Sequence, residues 1–192
     1  WQNNSSLWPF AALEFIERDR HLTRRLNTLV KKSSGKYILI LNDDCEILTQ
    51  NWDIEAYIKL NTYKDGVVYG RTKDNSCDKV GDKGYASFFI LSKKSTDILG
   101  FFLHEQFPGL GDDVIWYRIY KTLNRIVDVN INIDHLLHKT VSSVLNPDIT
   151  AREMRQTTYM FQQKYGDIWS FDITNDVNKL KGHIHEQAIS SI

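Results

Sequence analysis

Apolar residues recur along the chain with two different periods. Leu22, Leu26, Leu29 and Val30 repeat at helical spacing behind Pro9, with Arg18, Arg20, Arg24, Arg25, Lys31 and Lys32 mostly off that stripe. They predict a first helix that ends near Gly35. Residues 36–41 (KYILIL) are a short continuous apolar run bounded by glycine and by acids, the pattern of a strand buried on both faces. A turn over residues 42–46 follows it. Trp52, Ile54, Tyr57, Ile58 and Leu60 suggest a short helix, and residues 66–71 (GVVYGR) and 84–91 (GYASFFIL) read as strands on either side of a polar stretch, 72–83. Residues 93–99 make one or two helical turns ending at Gly100, and the glycine- and aromatic-rich residues 101–111 read as a loop. Residues 112–124 are predicted as a helix, with acids at its start and Lys121 and Arg125 near its end, as the helix dipole favours. Residues 126–131 alternate as a strand, residues 147–165 form a further helix stopped at Gly166, and residues 167–192 read as a polar C-terminal tail. Alternating strands and helices predict an α/β sandwich with a mainly parallel central sheet, in one domain over residues 1–192.

Composition narrows the class of protein. A chain of 192 residues, 42% hydrophobic, is long enough to build a core without metals or disulfides as staples. Its 24 Lys and Arg balance 24 Asp and Glu, so no global field draws it to a nucleic acid or an anionic membrane, and no nucleic-acid partner is expected. No apolar run approaches the roughly 20 residues of a transmembrane helix. Cys45 and Cys77 have no metal-type spacing and are too few for a disulfide framework, which suits the reducing cytoplasm, with peripheral attachment at a membrane left open. The first residue, Trp1, is not Met, as in a fragment or a processed product.

Chemistry concentrates at three places. Asn42, Asp43 and Asp44 follow a buried strand directly, at the sheet edge where open α/β proteins bind ligands. Adjacent hard oxygen donors suit Mg²⁺ or Mn²⁺, whereas the plainer alternative is a turn, which Asn and Asp favour by bonding their own backbone. Asp112 and Asp113 follow Gly109-Leu110-Gly111 at a helix start. One of the two suffices to cap free N–H groups, which leaves the other for general-base work. His135 and His138 in IDHLLHK follow the last predicted strand, where a neutral imidazole completes a metal site, accepts a proton or simply packs. His183 and His185 look like solvated surface, and the Trp residues default to core packing.

Taken in order, these stretches resemble the later two-thirds of a family 2 glycosyltransferase with the GT-A fold. The resemblance runs from Asn27 to Gly166. NTLVKKSSGKYILILNDD is similar to the family's Asn, helical turn, Gly-Glu-Tyr, apolar strand and Asp-x-Asp metal motif, here Asn42-Asp43-Asp44 with Asn at the first position. GYASFFILSKKSTDILGFFLHEQFPGLGDDVIW is similar to the acceptor region, with Asp112 at the Glu position and Asp113 at the position of the catalytic base. HLLHK is similar to the closing strand and metal-binding histidine, with His138 the better match, and FQQKYG to a helix end ahead of a glycine. The resemblance implies a metal-dependent inverting transfer from a UDP-, GDP- or dTDP-sugar to a glycan, lipid-linked or protein acceptor. It implies Asp44, Asn42 and His138 on Mn²⁺ or Mg²⁺, Asp43 at the diphosphate, and Asn27 and Arg25 on the nucleotide side. Because the family's first nucleotide-binding strands have no counterpart here, it also implies an N-terminally truncated fragment.

Two other readings compete. Gly111-Asp112-Asp113 spells a viral polymerase metal motif, which requires the acids on a hairpin between apolar strands. A degenerate domain that only binds a glycan or a partner protein is the non-enzyme alternative, and Asn42 in the metal motif speaks for it.

Overall fold

The computed structural model describes residues 22–42, 44–74, 84–105, 111–136, 163 and 166–190. In chain order the elements are α1 (Leu22–Lys32), β1 (Tyr37–Leu39), β2 (Cys45–Ile47), α2 (Trp52–Leu60), β3 (Tyr69–Asp74), β4 (Phe89–Ser92), α3 (Lys93–Leu99), α4 (Asp112–Leu123), β5 (Ile126–His135) and α5 (Thr174–Ser190). The helix expected over residues 147–165 lies outside the described residues.

The chain is α/β, but its sheet is mixed rather than mainly parallel. Five strands lie in the order β1-β4-β3-β5-β2. β1 with β4, β4 with β3 and β5 with β2 pair antiparallel, and only β3 with β5 pairs parallel. The cause is the position of β4, which runs against both of its neighbours. β1, β3 and β5 consequently point the same way, and their carboxyl ends share one edge of the sheet. β1 also departs from expectation: it is a three-residue strand at an edge of the described sheet, with Ile38 buried between half-covered Tyr37 and Leu39. The path from Leu39 to Cys45 leads from one end of that strand order to the other, which a curled sheet accommodates.

Strand alternation sorts the core onto two faces. Tyr69, Phe89 and Leu91 meet Val30 of α1, Leu99 of α3, and Trp116, Ile119 and Tyr120 of α4 on one side. Phe88, Ile90, Val129, Ile131 and Ile133 meet Ala56 and Leu60 of α2 on the other. Gly70 faces this second layer, where an added Cβ would stand 3.2 Å from Ile90, Leu60 and Val129, so the close approach of α2 depends on glycine. Two ion pairs brace the periphery: Arg125 grips both oxygens of Asp65 at 2.9 and 3.2 Å, and Arg71 those of Asp128 at 2.6 and 3.0 Å. No described helix is long and apolar enough to cross a membrane.

The segment read as a polar tail contains α5, and α5 belongs to the core. Val177 and Leu180 are buried against the α3–α4 layer, and His183 Nε2 lies 3.2 Å from the Asp65 carbonyl oxygen. The apolar positions of α5 are sparse, so its burial depends on a narrow stripe that composition conceals. Leu180 has no exposed surface. Leu180→Ala is therefore expected to cost about 2–5 kcal/mol in chemical denaturation, whereas a solvated tail residue would change stability by about 0.5 kcal/mol or less.

Candidate functional site

The segment after β1, the entry to β4, the end of β5 and the first turn of α4 enclose a cavity of about 300 Å³. Asn42, Asp112, Asp113 and His135 line it together with Ser87 and apolar side chains that include Leu26, Phe88, Phe89 and Phe102. Three of the stretches singled out by sequence thus converge at one rim. The local causes are separate. Asn42 stands three residues beyond Leu39, the end of β1, and His135 is the last residue of β5, which runs four residues beyond the predicted Ile131.

Asp112 and Asp113 are held in place by Gly111. Its φ of 85° is left-handed, and an added Cβ would stand 1.9 Å from Ile168 Cδ1, so a larger residue strains the backbone and displaces the Ile168 side chain. The two acids then divide their work differently from a simple N-cap. Asp113 Oδ1 accepts from the Val114 N–H at 2.8 Å, a first-turn donor shared with the Gly111 carbonyl oxygen at 3.1 Å. Asp112 turns back to the preceding loop and accepts from the His104 backbone N–H at 3.0 Å. Burial pushes the Asp112 carboxyl up to about 8, opposed by the His104 hydrogen bond and reinforced by the charge of Asp113. Burial likewise raises Asp113 to about 6, against the Val114 hydrogen bond, with buried Asp74 adding repulsion. Asp74, at the end of β3, accepts from Ser87 N at 3.1 Å and is a third acid at this rim. Sequence reading passed over it because it sits in a polar stretch that gave no sign of a strand end.

Asp44 and His135 approach each other beside the cavity, with Nε2 to Oδ1 at 3.3 Å. The edge of the His135 ring meets Phe88 at 5.0 Å between centroids. Among the described residues, Asp44, Cys45 and His135 are the group of potential metal ligands close enough to share an ion, with donor atoms within 4.8 Å of one another. His138, which the resemblance puts on the metal, lies outside the described residues together with Asp43. Mg²⁺ and Mn²⁺ ask for oxygen ligands. A set with one carboxylate, one thiol and one imidazole does not fit them well, and it fits a borderline ion.

Asn27 and Arg25, the residues that the resemblance puts on the nucleotide side, do not line this cavity. Asn27 is committed to the loop after α3: its Oδ1 accepts from Phe102 N at 2.9 Å and Leu103 N at 2.7 Å, and its Nδ2 donates to Leu103 O at 2.8 Å. Arg25 is half-buried on α1 and is not among the residues lining the cavity. The hairpin that the polymerase reading requires is replaced by α4, which the two acids open. No family model, curated protein or solved structure matches the chain.

Two outcomes follow from this geometry. Asn27→Ala strands two backbone donors and is expected to cost about 2–3 kcal/mol in equilibrium unfolding; an unchanged midpoint would contradict a bracing role. Asp112 ionises near 4 in an unfolded chain and near 8 in the fold. Between those values the folded state holds a proton that the unfolded state has released, so this contribution to stability is full below about pH 4 and falls as pH rises to about 8. Asp112→Asn should therefore melt above wild type at pH 8, with the gap closing towards pH 4. A gap independent of pH would contradict the burial.

Proposed function

We propose that the chain carries the acceptor side of an inverting glycosyltransferase, moving a sugar from a nucleotide-sugar to an acceptor hydroxyl. The observation that carries this reading is the meeting of Asn42, Asp112, Asp113 and His135 around one cavity at the carboxyl edge of the sheet. Its volume is at the small end for ligand sites, which suits a sugar ring better than a whole nucleotide-sugar.

Asp113 is the general base. A carboxyl raised to about 6 is mostly ionised at neutral pH yet basic enough to take a proton from a hydroxyl in the transition state. The acceptor oxygen bonds to the anomeric carbon as its proton passes to Asp113, while the bond to the diphosphate oxygen breaks and the diphosphate leaves with the electron pair. Attack from the face opposite the leaving group inverts the anomeric centre. Asp112, raised to about 8, keeps its proton at neutral pH, so the base stands beside a neutral neighbour. The apolar lining from Leu26, Phe88, Phe89 and Phe102 keeps competing water from the sugar.

A binding domain without turnover is the second reading. It is favoured by the engagement of Asn27 with the Phe102 and Leu103 backbone, which occupies its carbonyl oxygen and one amide hydrogen.

Release of nucleoside diphosphate from UDP-, GDP- and dTDP-sugars, measured with calorimetric donor binding, separates the two. A transferase should release diphosphate at a rate that rises with pH through about 6, the range of Asp113. Asp113→Asn should lower that rate by about 10²-fold or more and leave donor binding unchanged. Binding of a glycan without any release, or full activity in Asp113→Asn, would overturn the reading.

A further inference from the structure

The two strands that meet beside the cavity carry a donor set to which the proposed proton transfer to Asp113 assigns no step. Cys45 and His135 are direct partners in the β2–β5 register. The hydrogen bonds on either side of them, Leu136 N to Asp44 O at 2.8 Å and Leu48 N to Asn132 O at 2.9 Å, fall at the even-numbered positions of β2. Cys45 and His135 are therefore a non-hydrogen-bonded antiparallel pair, the type in which facing side chains stand closest, with Cα atoms about 4.5 Å apart. Period-2 alternation would send Asp44 to the opposite face from Cys45, but Asp44 precedes the strand in a turn, and its carboxylate comes round to the imidazole. A sulfur, a nitrogen and an oxygen thus gather on one face from two adjoining strands.

The surroundings point to a cation. Asp44 Oδ1 is sealed from solvent and meets no hydrogen-bonding group among the described residues apart from the His135 imidazole, whose Nε2 stands 3.3 Å away. A buried carboxylate oxygen in that condition is costly unless a positive group compensates it. The His135 side chain is only 9% exposed and that of Asp44 19%, so an ion here would be largely dehydrated. Donor atoms around a tetrahedral zinc ion stand about 3.5 Å apart, given bonds of about 2.0–2.3 Å. The separation of 3.3 Å between His135 Nε2 and Asp44 Oδ1 already matches that.

We propose that Asp44, Cys45 and His135 form a zinc site with three protein ligands. Thiolate, imidazole and carboxylate together select a borderline ion over Mg²⁺ or Mn²⁺. Three protein ligands leave a fourth position, the arrangement of zinc sites that accept water or an anionic oxygen rather than serve structure alone. His135 also lines the 300 Å³ cavity, so the ion and whatever occupies the cavity share a wall. The inference stands on the strand pair and does not require the transferase reading.

The test uses the metal alone, with the full chain stripped by a chelator. Zn²⁺ titration should show one equivalent bound and a raised melting temperature, with Mg²⁺ and Mn²⁺ producing a clearly smaller rise. Co²⁺ in place of zinc should give the intense visible bands of tetrahedral cobalt and a thiolate charge-transfer band in the near ultraviolet. Cys45→Ser should abolish the thiolate band and weaken Zn²⁺ binding by about tenfold or more, while Cys77→Ser changes neither. Octahedral Co²⁺ without a thiolate band in the wild-type chain would overturn the site whether or not the variants fold, and so would a band that survives Cys45→Ser. Zinc binding alongside a failure to release diphosphate from any nucleotide-sugar would count against the transferase and leave the zinc site intact.

Discussion

Two carboxyl groups, Asp112 buried and Asp113 half-buried, are crowded together at the first turn of α4, and the rest of the site is arranged around that constraint. The positive end of a helix and the N–H groups of His104 and Val114 favour their ionised forms. Desolvation outweighs them, because both groups titrate above the ordinary aspartate range. The result is a pair with different protonation at neutral pH, which is the condition for one of them to accept a proton while the other repels nothing. Gly111, whose left-handed backbone favours glycine, and Asn27, which pins the loop carrying His104, hold that pair where the strands end.

The topology explains why strands so far apart in sequence deliver their ends to one place. β4 lies reversed between β1 and β3, which leaves β1, β3 and β5 aligned with their carboxyl ends at the same rim. A sheet of this kind retains the property that makes parallel sheets good binding scaffolds, even though most of its neighbouring pairs are antiparallel. β2 then returns along β5 and brings Asp44 and Cys45 to His135. The catalytic proposal and the zinc proposal occupy neighbouring walls of the same rim, joined through His135.

Much of this was legible in the sequence, for identifiable reasons. Helices α1 to α4 show in their apolar spacing or in the glycines that stop them, and the glycine before Asp112 and Asp113 marks a helix entry. The direction of β4 was hidden, since a run such as FFIL buries itself equally well in either orientation. α5 was missed because Val177 and Leu180 are few among polar residues, although their three-residue spacing was available. The approach of Cys45 to His135 was beyond any spacing rule: it depends on strand pairing across 90 positions, and only the adjacency of Cys45 to an acidic turn hinted at it. Asn27 was assigned from resemblance to a ligand, whereas its hydrogen bonds tie two parts of the protein together.

The central claim is that Asp112, buried, and Asp113, half-buried, lie together beside the cavity with raised titration, and carboxyl ¹³C NMR of the chain labelled at aspartate tests it most directly. The account predicts two coupled resonances, lost on Asn substitution at these positions, that titrate near 8 and near 6. Titration of both groups near 4, the value of a solvated aspartate, would contradict it.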